Sequence, residues 1–359
     1  MGVNKKIAVL CNYELLPERV GGMDYFFWMF DQKCKENNMQ VDWFFPNKST
    51  HGKYECLNII SSNYENVEHF FTKFIENNKQ SYTHIITHFI EICSPIFKKI
   101  KLISNAKIMV VDHNPRPIKG YSIKKRIEKR LKGILYSRYI DIFIGVSNYS
   151  KNQLVKELGL QISTKTNVIF NGLEIKKFKQ KTNFNINFNF VIACHLRKDK
   201  GIQDVIFAVS EIKLQVKIPF TITIFGNGYY EDELKKKINN LSLQDYFIFK
   251  GSIDNLQDIY CNYDYLIHPS HGETFCYSVV ESLLSNLPVI TNNQGNVLGL
   301  IHHNSNGFLY QDCHIQDLKN ILISILNNEI KIENGLQKQP KVLDLSLEKM
   351  VVNYINLLQ

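Results

Sequence analysis

Short apolar runs alternate with helix-length amphipathic segments along the whole chain of 359 residues. The runs in the first half are IAVL (7–10), VDWFF (41–45), HIITHF (84–89), KIMVV (107–111) and DIFIGV (141–146). Those in the second half are FVIACH (190–195), FTITIF (220–225), YFIFKG (246–251), YLIHP (265–269), PVIT (288–291) and GFLY (307–310). Strands that alternate with helices in this way are typical of a parallel α/β architecture.

A polar segment of weak periodicity, residues 171–189, separates the two series of strands. We place the domain linker there, and a chain of this length is long enough for two domains with separate cores. The pattern predicts two doubly wound, Rossmann-like domains, residues 1–170 and 171–340, that face each other across a cleft and bind ligands at the carboxyl ends of their strands. The last segment, 341–359, has apolar residues at helical spacing, which predicts a closing helix that packs back toward the first domain.

The composition argues against several classes of protein. No apolar signal-like region follows Met1, and no apolar run is long enough to span a membrane. The eight cysteines are scattered singly, with no CxxC pair and no Cys/His ligand spacing. This distribution is typical of reduced thiols and not of a disulfide framework or a zinc site, so we expect a cytoplasmic protein.

The net charge of +9 is concentrated in one part of the sequence. Residues 1–170 hold 25 basic and 15 acidic residues, and residues 101–150 alone hold 11 and 3. Much of this charge lies in the helix-like segment 122–140, which also carries an apolar stripe of Ile123, Ile127, Leu131, Ile134 and Leu135, with Lys and Arg opposite.

This basic segment is open to two interpretations. It either rests on anionic lipid headgroups, which would place the protein at the inner face of the cytoplasmic membrane, or packs on the core with a solvated basic face. Nucleic acid is not an expected partner, because no recognition motif accompanies the charge.

One carboxylate interrupts the most apolar stretch of the sequence. From Thr274 to Gln311, Glu281 is the only Asp, Glu, Lys or Arg. Glu273 follows the strand-like run YLIHP and three turn residues, whereas Glu281 lies about one turn into a helix that begins near Cys276 or Tyr277. Because a helix N-terminus favours an anion, these two glutamates could hold sugar hydroxyls while the helix end holds a diphosphate.

Two cations, Arg197 and Lys200, follow the run FVIACH and are predicted to open the next helix. Cations in the first turn of a helix oppose its dipole, so their placement indicates an anionic ligand. The alternative is a pair of solvated charges in the polar run RKDK.

Histidines and glycines follow three predicted strands of the first half. His88 closes HIITHF, and His113 ends KIMVVDH, although a single histidine is more often structural. Gly21 and Gly22 lie between the first strand and the first helix, where the absence of side chains lets the backbone approach a ligand. They do not form the GxGxxG pattern of a dinucleotide site.

Taken in order, these pieces resemble the retaining glycosyltransferases of family 4, which have the GT-B fold. The family signature is Glu, seven residues, Glu, and it corresponds here to Glu273 and Glu281. The supporting pieces in family order are GG (21–22), HN (113–114), FNGLE (170–174), LRKDKG (196–201), FGNG (225–228) and NG (306–307). The resemblance is strong over residues 168–310 and looser before them.

The resemblance implies a role for each candidate residue. Glu281 would hold the ribose of a nucleotide-sugar donor, and Glu273 the hydroxyls of the transferred sugar. Arg197 and Lys200 would clamp the departing diphosphate, so that no metal and no cofactor is expected. His113 would contact the donor sugar near the reacting carbon. The remaining candidates are Gly22, Gly226, Phe275, Cys276 and Tyr277 around the donor, and His88 and Gly21 on the acceptor side.

The implied activity is transfer of a sugar to a hydroxyl of a glycan or lipid-linked acceptor, with retention of configuration, in bacterial surface polysaccharide synthesis. The alternatives are a nucleotide-sugar epimerase or hydrolase on the same fold, and a non-catalytic carbohydrate-binding protein. The sequence departs from the family pattern at four places, and these departures affect the identity of the donor more than the reaction. They are Cys276 in place of Gly, Ser282 in place of Ala, QGN (294–296) in place of a glycine pair, and Gly299 in place of Glu.

Overall fold

The computed structural model of the protein describes residues 5–17, 20–78, 80–118, 120–332 and 340–359. These residues form two compact units: the first contains the described residues within 5–114, 120–173 and 346–359, and the second contains those within 115–118 and 174–345. The main boundary therefore falls after Leu173, close to the predicted position after residue 170. The units are less continuous than predicted, because 115–118 belong to the second unit and the return to the first begins at Ser346.

The first unit has a seven-stranded parallel sheet in the order β3-β2-β1-β4-β5-β6-β7. Its strands are β1 (Lys6–Cys11), β2 (Gln40–Phe45), β3 (Asn58–Ser61), β4 (His84–His88), β5 (Lys107–Asp112), β6 (Ile142–Gly145) and β7 (Thr166–Val168). Its helices are α1 (Gly22–Glu36), α2 (Val67–Asn78), α3 (Pro95–Ile103), α4 (Ile123–Tyr136), α5 (Asn148–Leu158) and the last helix, α11 (Leu347–Leu358).

The second unit has a six-stranded parallel sheet in the order β10-β9-β8-β11-β12-β13. Its strands are β8 (Asn189–Ala193), β9 (Thr221–Phe225), β10 (Phe247–Gly251), β11 (Tyr265–His268), β12 (Val289–Asn292) and β13 (Gly307–Tyr310). Its helices are α6 (Ile202–Ile212), α7 (Glu231–Asn240), α8 (Leu256–Ile259), α9 (Tyr277–Leu284) and α10 (Ile315–Leu326).

Both sheets reverse their strand order next to their first strand. In the first unit the reversal lies between β1 and β4, and in the second between β8 and β11. Loops that leave two such strands at their carboxyl ends turn to opposite faces of the sheet, which opens a crevice for ligands. The predicted fold class, two doubly wound α/β domains, is confirmed, whereas the cleft between them stays a prediction.

Two edge strands, β3 and β7, were not predicted from the pattern of apolar runs. Each lies at one end of the seven-stranded sheet, and their sequences, NIIS and TNV, contain no long apolar run. Central strands such as β1 and β4 are buried along almost their whole length because helices cover both faces of the sheet. β3 and β7 are only three or four residues long and only partly buried, so their side chains need not be apolar.

The closing helix α11 lies within the predicted segment 341–359 and begins at Leu347. The Ser346 hydroxyl accepts a hydrogen bond from the backbone N–H of Lys349 at 3.1 Å, which caps the helix. Its apolar face packs on α1, with the rings of Tyr354 and Phe26 centred 4.9 Å apart. The C-terminal segment thus completes the core of the first unit.

Candidate active site

A salt bridge spans the reversal point of the second sheet. Lys200 lies in the loop that leaves β8, and Glu273 lies in the loop that leaves β11. The Lys200 ammonium is 2.5 Å from Glu273 Oε1, and the two side chains are only 11% and 16% exposed. The fold therefore brings together two predicted site residues that are 73 positions apart.

Backbone contacts hold these two loops together. Gly201 adopts the left-handed conformation, with φ at +72°, and a Cβ atom there would lie 2.1 Å from the carbonyl oxygen of Pro269. The backbone N–H of His271 donates to the carbonyl of Asp199 at 3.1 Å. Only glycine fits this close approach, so the packing of the two loops explains why LRKDKG ends in glycine.

The structure corrects the predicted position of the two cations. Residues Lys198–Lys200 form a separate 3-10 turn, Gly201 follows it, and α6 begins only at Ile202. Arg197 and Lys200 thus precede the helix, and the argument that they oppose its dipole in its first turn is wrong. Lys200 is instead held by its salt bridge to Glu273, which lies in the loop after the neighbouring strand β11.

Arg197 is more exposed than Lys200 and has a local partner. Its Nη2 lies 2.8 Å from Asp199 Oδ2, and the side chain is 41% exposed. Its Nε is buried and has no hydrogen-bond partner among the residues that the structure describes. The guanidinium therefore keeps donor capacity for a ligand.

His268, which the sequence analysis did not select, lies beside the salt bridge. Its Nε2 is 3.8 Å from Glu273 Oε1 and has no hydrogen-bond partner within the described part of the chain. Burial lowers the pKa of His268 to about 4, so the ring is neutral at pH 7. Its position at the end of β11 was the available signal, since polar residues at that edge belong to the crevice.

Glu281 is held by a buried tyrosine. Its Oε2 accepts a hydrogen bond from the Tyr260 hydroxyl at 3.0 Å. Burial raises the pKa of Glu281, and the hydrogen bond from Tyr260 opposes that shift. No pattern in the sequence indicated Tyr260, because it precedes β11 and reaches α9 only through the fold.

The start of α9 agrees with the sequence prediction. Cys276 is the N-cap and Tyr277 the first helical residue. Phe275 is buried, and its ring packs edge-on against Tyr277 at 4.9 Å. Burial raises the pKa of the Cys276 thiol well above its usual value, so this cysteine is not a nucleophile at neutral pH.

Two glycines near these loops are required by packing. At Gly226, with φ at +124°, a Cβ atom would lie 1.9 Å from the carbonyl oxygen of Cys194. At Gly295, with φ at +67°, it would lie 2.5 Å from that of Glu273. The first is a packing reason for glycine at position 226 of FGNG, and the second shows that the glycine of QGN packs against the Glu273 loop.

In the first unit, the predicted histidines form a pair. His88 ends β4, His113 follows β5, and His88 Nδ1 lies 2.9 Å from His113 Nε2. Burial lowers the pKa of both, to about 3 for His113, so both rings are neutral and one donates to the other. Phe89 stacks on His113 at 4.4 Å and is itself held at a φ of +58°, a strained value for a bulky side chain.

The glycine pair marks the start of α1. Gly22 is its first residue, and Gly21, at the N-cap, has an extended backbone, with open space within 4 Å of the point that a Cβ atom would occupy. The N–H of Gly21 donates to Asp24 Oδ2 at 2.8 Å, and Tyr13 donates to the same oxygen at 2.9 Å. Space beside Gly21 is consistent with the predicted approach of a ligand.

The basic helix α4 is oriented with its apolar stripe toward solvent. The stripe residues Ile123, Ile127, Leu131, Ile134 and Leu135 are 51–75% exposed. Its protein-facing side carries cations instead, which pair as Lys125 with Glu128, Lys129 with Glu157, and Lys132 with Glu91. The core-packed interpretation of this helix, with its solvated basic face, is therefore wrong. Lys129 and Lys132 do lie opposite the stripe, as predicted, but on the side that faces the protein.

None of the helices within the described ranges has the length and apolar character that a membrane span requires.

The fold also brings together a group that the cysteine spacing did not predict. His271, Asp312 and Cys313 offer ligand atoms that all lie within 4.8 Å of one another. They come from the loops after β11 and β13, so their proximity depends on the sheet order.

Comparison with known proteins supports the predicted resemblance to glycosyltransferases. The family model of the glycosyl transferases group 1 matches residues 174–341. An uncharacterized glycosyltransferase of Methanocaldococcus jannaschii is 26% identical over 212 residues, which are 56% of this chain and 56% of that protein. The poly(glycerol-phosphate) alpha-glucosyltransferase of Bacillus subtilis is 24% identical over 243 residues, 62% of this chain and 36% of that protein. The matches thus span between about a third and a little over half of these two relatives.

Solved structures resemble the chain over almost its full length. The Anabaena protein HepE, solved with UDP, has a TM-score of 0.76 at 17% identity and covers 99% of each chain. Sucrose-phosphate synthase from Thermosynechococcus elongatus has a TM-score of 0.77 at 16% identity, with 98% of each chain covered. Residues 174–341, which contain Lys200, Glu273 and Glu281, thus match the glycosyl transferases group 1 in sequence, and the chain has the fold of solved GT-B glycosyltransferases.

Proposed function

We propose that the protein is a retaining glycosyltransferase of family 4 that moves a sugar from a nucleotide-sugar donor to a hydroxyl of a membrane-anchored glycan acceptor. The acceptor belongs to bacterial surface polysaccharide synthesis, and the enzyme works at the inner face of the cytoplasmic membrane. The observation that carries the proposal is the Lys200–Glu273 pair at the strand reversal, followed in sequence by Glu281, which lies about one turn into α9.

The second unit has the groups that a donor needs. Lys200 and Arg197 supply positive charge for a diphosphate, and the N-terminus of α9, an eight-residue helix, adds backbone donors. Glu281 accepts from the ribose hydroxyls and Glu273 from those of the transferred sugar. Because two cations already face the leaving group, the reaction needs no Mg²⁺ or Mn²⁺ and no cofactor.

The chemistry follows from these placements. The bond between the sugar and the phosphate breaks early, and Lys200 and Arg197 stabilise the charge that develops on the leaving diphosphate. The leaving phosphate takes the proton of the acceptor hydroxyl, which attacks on the same face. In this scheme His113 and His88, both neutral, act as hydrogen-bonding groups and not as acids.

The helix α4 supports a membrane-bound acceptor. An apolar stripe that is exposed, flanked by the exposed cations Lys124, Arg126 and Arg130, matches the interfacial region of an anionic bilayer. A solvated helix would gain nothing from five large apolar side chains in water.

The proposed activity is tested by a thermal-shift screen of UDP-, GDP-, ADP- and CMP-sugars, followed by turnover with the best donor. UDP-sugars come first, because HepE was solved with UDP. A donor that binds only the folded state raises the melting temperature. We expect transfer in lipid-linked glycan extracts with retained anomeric configuration, at a rate that EDTA does not change.

The rival functions give different results in the same assay. Release of free sugar at the same rate without an acceptor would indicate a hydrolase, and interconversion of the donor an epimerase. Donor binding without any turnover would indicate a binding protein. Loss of activity in EDTA with recovery in Mg²⁺ would contradict the role of the two cations.

The contact between Tyr260 and Glu281 gives a prediction on donor affinity. Tyr260→Phe removes the hydrogen bond that orients the carboxylate, and such a bond contributes about 0.5–1.5 kcal/mol. We expect the dissociation constant of the donor to rise up to roughly tenfold in Tyr260→Phe, and further in Glu281→Ala. Calorimetric titration measures both. The control is Tyr263→Phe in the same segment, and equal affinity in all variants would remove Glu281 from the donor site.

A further inference from the structure

A second cluster of polar side chains includes a residue of the loop that carries Glu273. His271 is in the loop after β11, whereas Asp312 and Cys313 are in the loop after β13. Nδ1 of His271 is 2.8 Å from Asp312 Oδ1, and Cys313 Sγ is 3.6 Å from both His271 Nδ1 and Asp312 Oδ2. The proposed sugar transfer uses none of these three residues.

The spacing of these atoms fits a shared metal ion. A tetrahedral zinc ion with a Zn–S bond of about 2.3 Å and Zn–N or Zn–O bonds of about 2.0–2.2 Å holds sulfur about 3.6 Å from either neighbour. Both sulfur distances have this value. The atoms with this spacing are Cys313 Sγ, His271 Nδ1 and Asp312 Oδ2, the carboxylate oxygen that contacts the cysteine.

Further polar side chains contact the atoms of His271 and Asp312 that do not contact Cys313. Asp204 Oδ2 lies 3.4 Å from His271 Nε2, the ring nitrogen that points away from the cysteine. Asn292 Nδ2 donates to Asp312 Oδ1 at 2.9 Å and to the backbone oxygen of Ser270 at 2.8 Å. Carboxylates behind histidine ligands and donors behind carboxylate ligands are what metal sites use to orient their ligands.

The local charge also favours a cation. The two carboxylates of Asp204 and Asp312 lie on either side of the His271 ring, with the Cys313 thiol beside them. Within the described part of the chain, His271 is the only basic side chain that forms an ion pair with either carboxylate. A divalent cation would neutralise the negative charge of one carboxylate and one thiolate.

We propose that His271, Asp312 and Cys313 bind a thiophilic divalent cation of the Zn²⁺ class, with one coordination position open to water. On binding, the proton of the Cys313 thiol and any proton on His271 Nδ1 are released to solvent, the thiolate sulfur and Nδ1 bind the ion, and Nε2–H donates to Asp204. The sulfur and nitrogen ligands select Zn²⁺ over Mg²⁺. The bound ion links the loop after β11 to the loop after β13.

The test uses the purified full-length chain and the metal alone. Co²⁺ is added to chelator-treated protein, and a thiolate-to-cobalt charge-transfer band reports a Co–S bond. Zn²⁺ is then titrated against a competing dye and is expected to bind with a stoichiometry of one and to raise the melting temperature. Excess Mg²⁺ should displace neither ion.

The variants separate this site from adventitious binding. Cys313→Ser should abolish the charge-transfer band and the thermal shift, whereas Cys56→Ser, at the other exposed cysteine, should leave both unchanged. Asp204→Asn removes only the carboxylate that contacts His271 Nε2 and should lower the affinity for Zn²⁺ roughly 10–100-fold.

A charge-transfer band that persists in Cys313→Ser, or Zn²⁺ affinity that is equal in the parent protein and in both Cys313→Ser and Asp204→Asn, would overturn the proposal. Because Cys313 is exposed, its replacement by serine leaves the core untouched, and circular dichroism verifies the fold. None of these measurements needs a sugar donor, so their outcome is independent of the proposed transferase activity.

Discussion

The variant Lys200→Met is expected to lower kcat for sugar transfer by roughly 10²–10³-fold, the usual effect of removing a group that stabilises charge in the transition state. Lys200 is the less exposed of the two cations at the strand reversal, and water therefore screens it less than Arg197. Steady-state kinetics with the donor found in the screen measures the change. A rise in KM alone would mean that Lys200 only binds the donor.

Loss of this cation also leaves the Glu273 carboxylate without its partner, so stability must be separated from catalysis. Breaking a buried ion pair costs about 3–5 kcal/mol, and less where one partner reaches solvent. The matched control is Lys319→Met, because Lys319 pairs with Glu211 at 2.8 Å and its side chain is also 11% exposed. We expect Lys319→Met to lower the melting temperature and to keep kcat. A similar fall of kcat in both variants would reduce Lys200 to a structural residue.

Replacing Ile127, Leu131 and Ile134 by glutamine is expected to weaken binding to anionic vesicles by about a hundredfold. These side chains are 52–58% exposed, so roughly half of the ~1.5–3 kcal/mol available from burying each one is still to be gained in the interface. Sedimentation with vesicles at several salt concentrations measures the partition coefficient. The binding of the parent protein should fade with salt, because surface charge is screened within about 10 Å at 0.1 M.

The control for the stripe is a triple change of even more exposed residues elsewhere, Tyr64, Leu214 and Tyr229 to glutamine. These side chains are 69–82% exposed and lie outside α4, so vesicle binding should not change. Lys124→Gln with Arg126→Gln should weaken binding only at low salt. Equal sedimentation of the stripe variant and the parent protein would leave the exposed stripe without a lipid partner and make a soluble acceptor the better proposal.

The sequence was sufficient for the elements that lie between two covered faces. Each of the eleven apolar runs corresponds to a strand, and nine of them are interior strands of a parallel sheet, which are buried on both faces and therefore apolar in composition. The edge strands β10 and β13 were also predicted from their apolar runs, whereas the edge strands β3 and β7 were missed because they are short and only partly buried. The start of α9 near Cys276 was also predictable, since its apolar face repeats with the helical period.

The contacts within the site could not be predicted from the spacing of the residues in the sequence. Lys200 meets Glu273 across 73 positions, Tyr260 meets Glu281 across 21, and His271 meets Asp312 across 41. Each pair joins loops or elements that the strand order brings together. Spacing likewise gave the apolar stripe of α4 but not its direction, because the partners that turn the lysines inward, Glu91 and Glu157, lie outside the helix.

The return of the chain to its first unit has a consequence for biosynthesis. Tyr354 of α11 lies against Phe26 and within 6.1 Å of the His88 ring, and the Leu358 carbonyl accepts from the Lys5 ammonium at 2.6 Å. Translation proceeds at about 5–20 residues per second, and domains usually fold as they emerge from the ribosome. Here the second unit is complete before the first has received its last helix. The nascent first unit therefore carries an uncovered apolar surface next to His88 until residues 346–359 leave the ribosome, and chaperones have that interval in which to bind it.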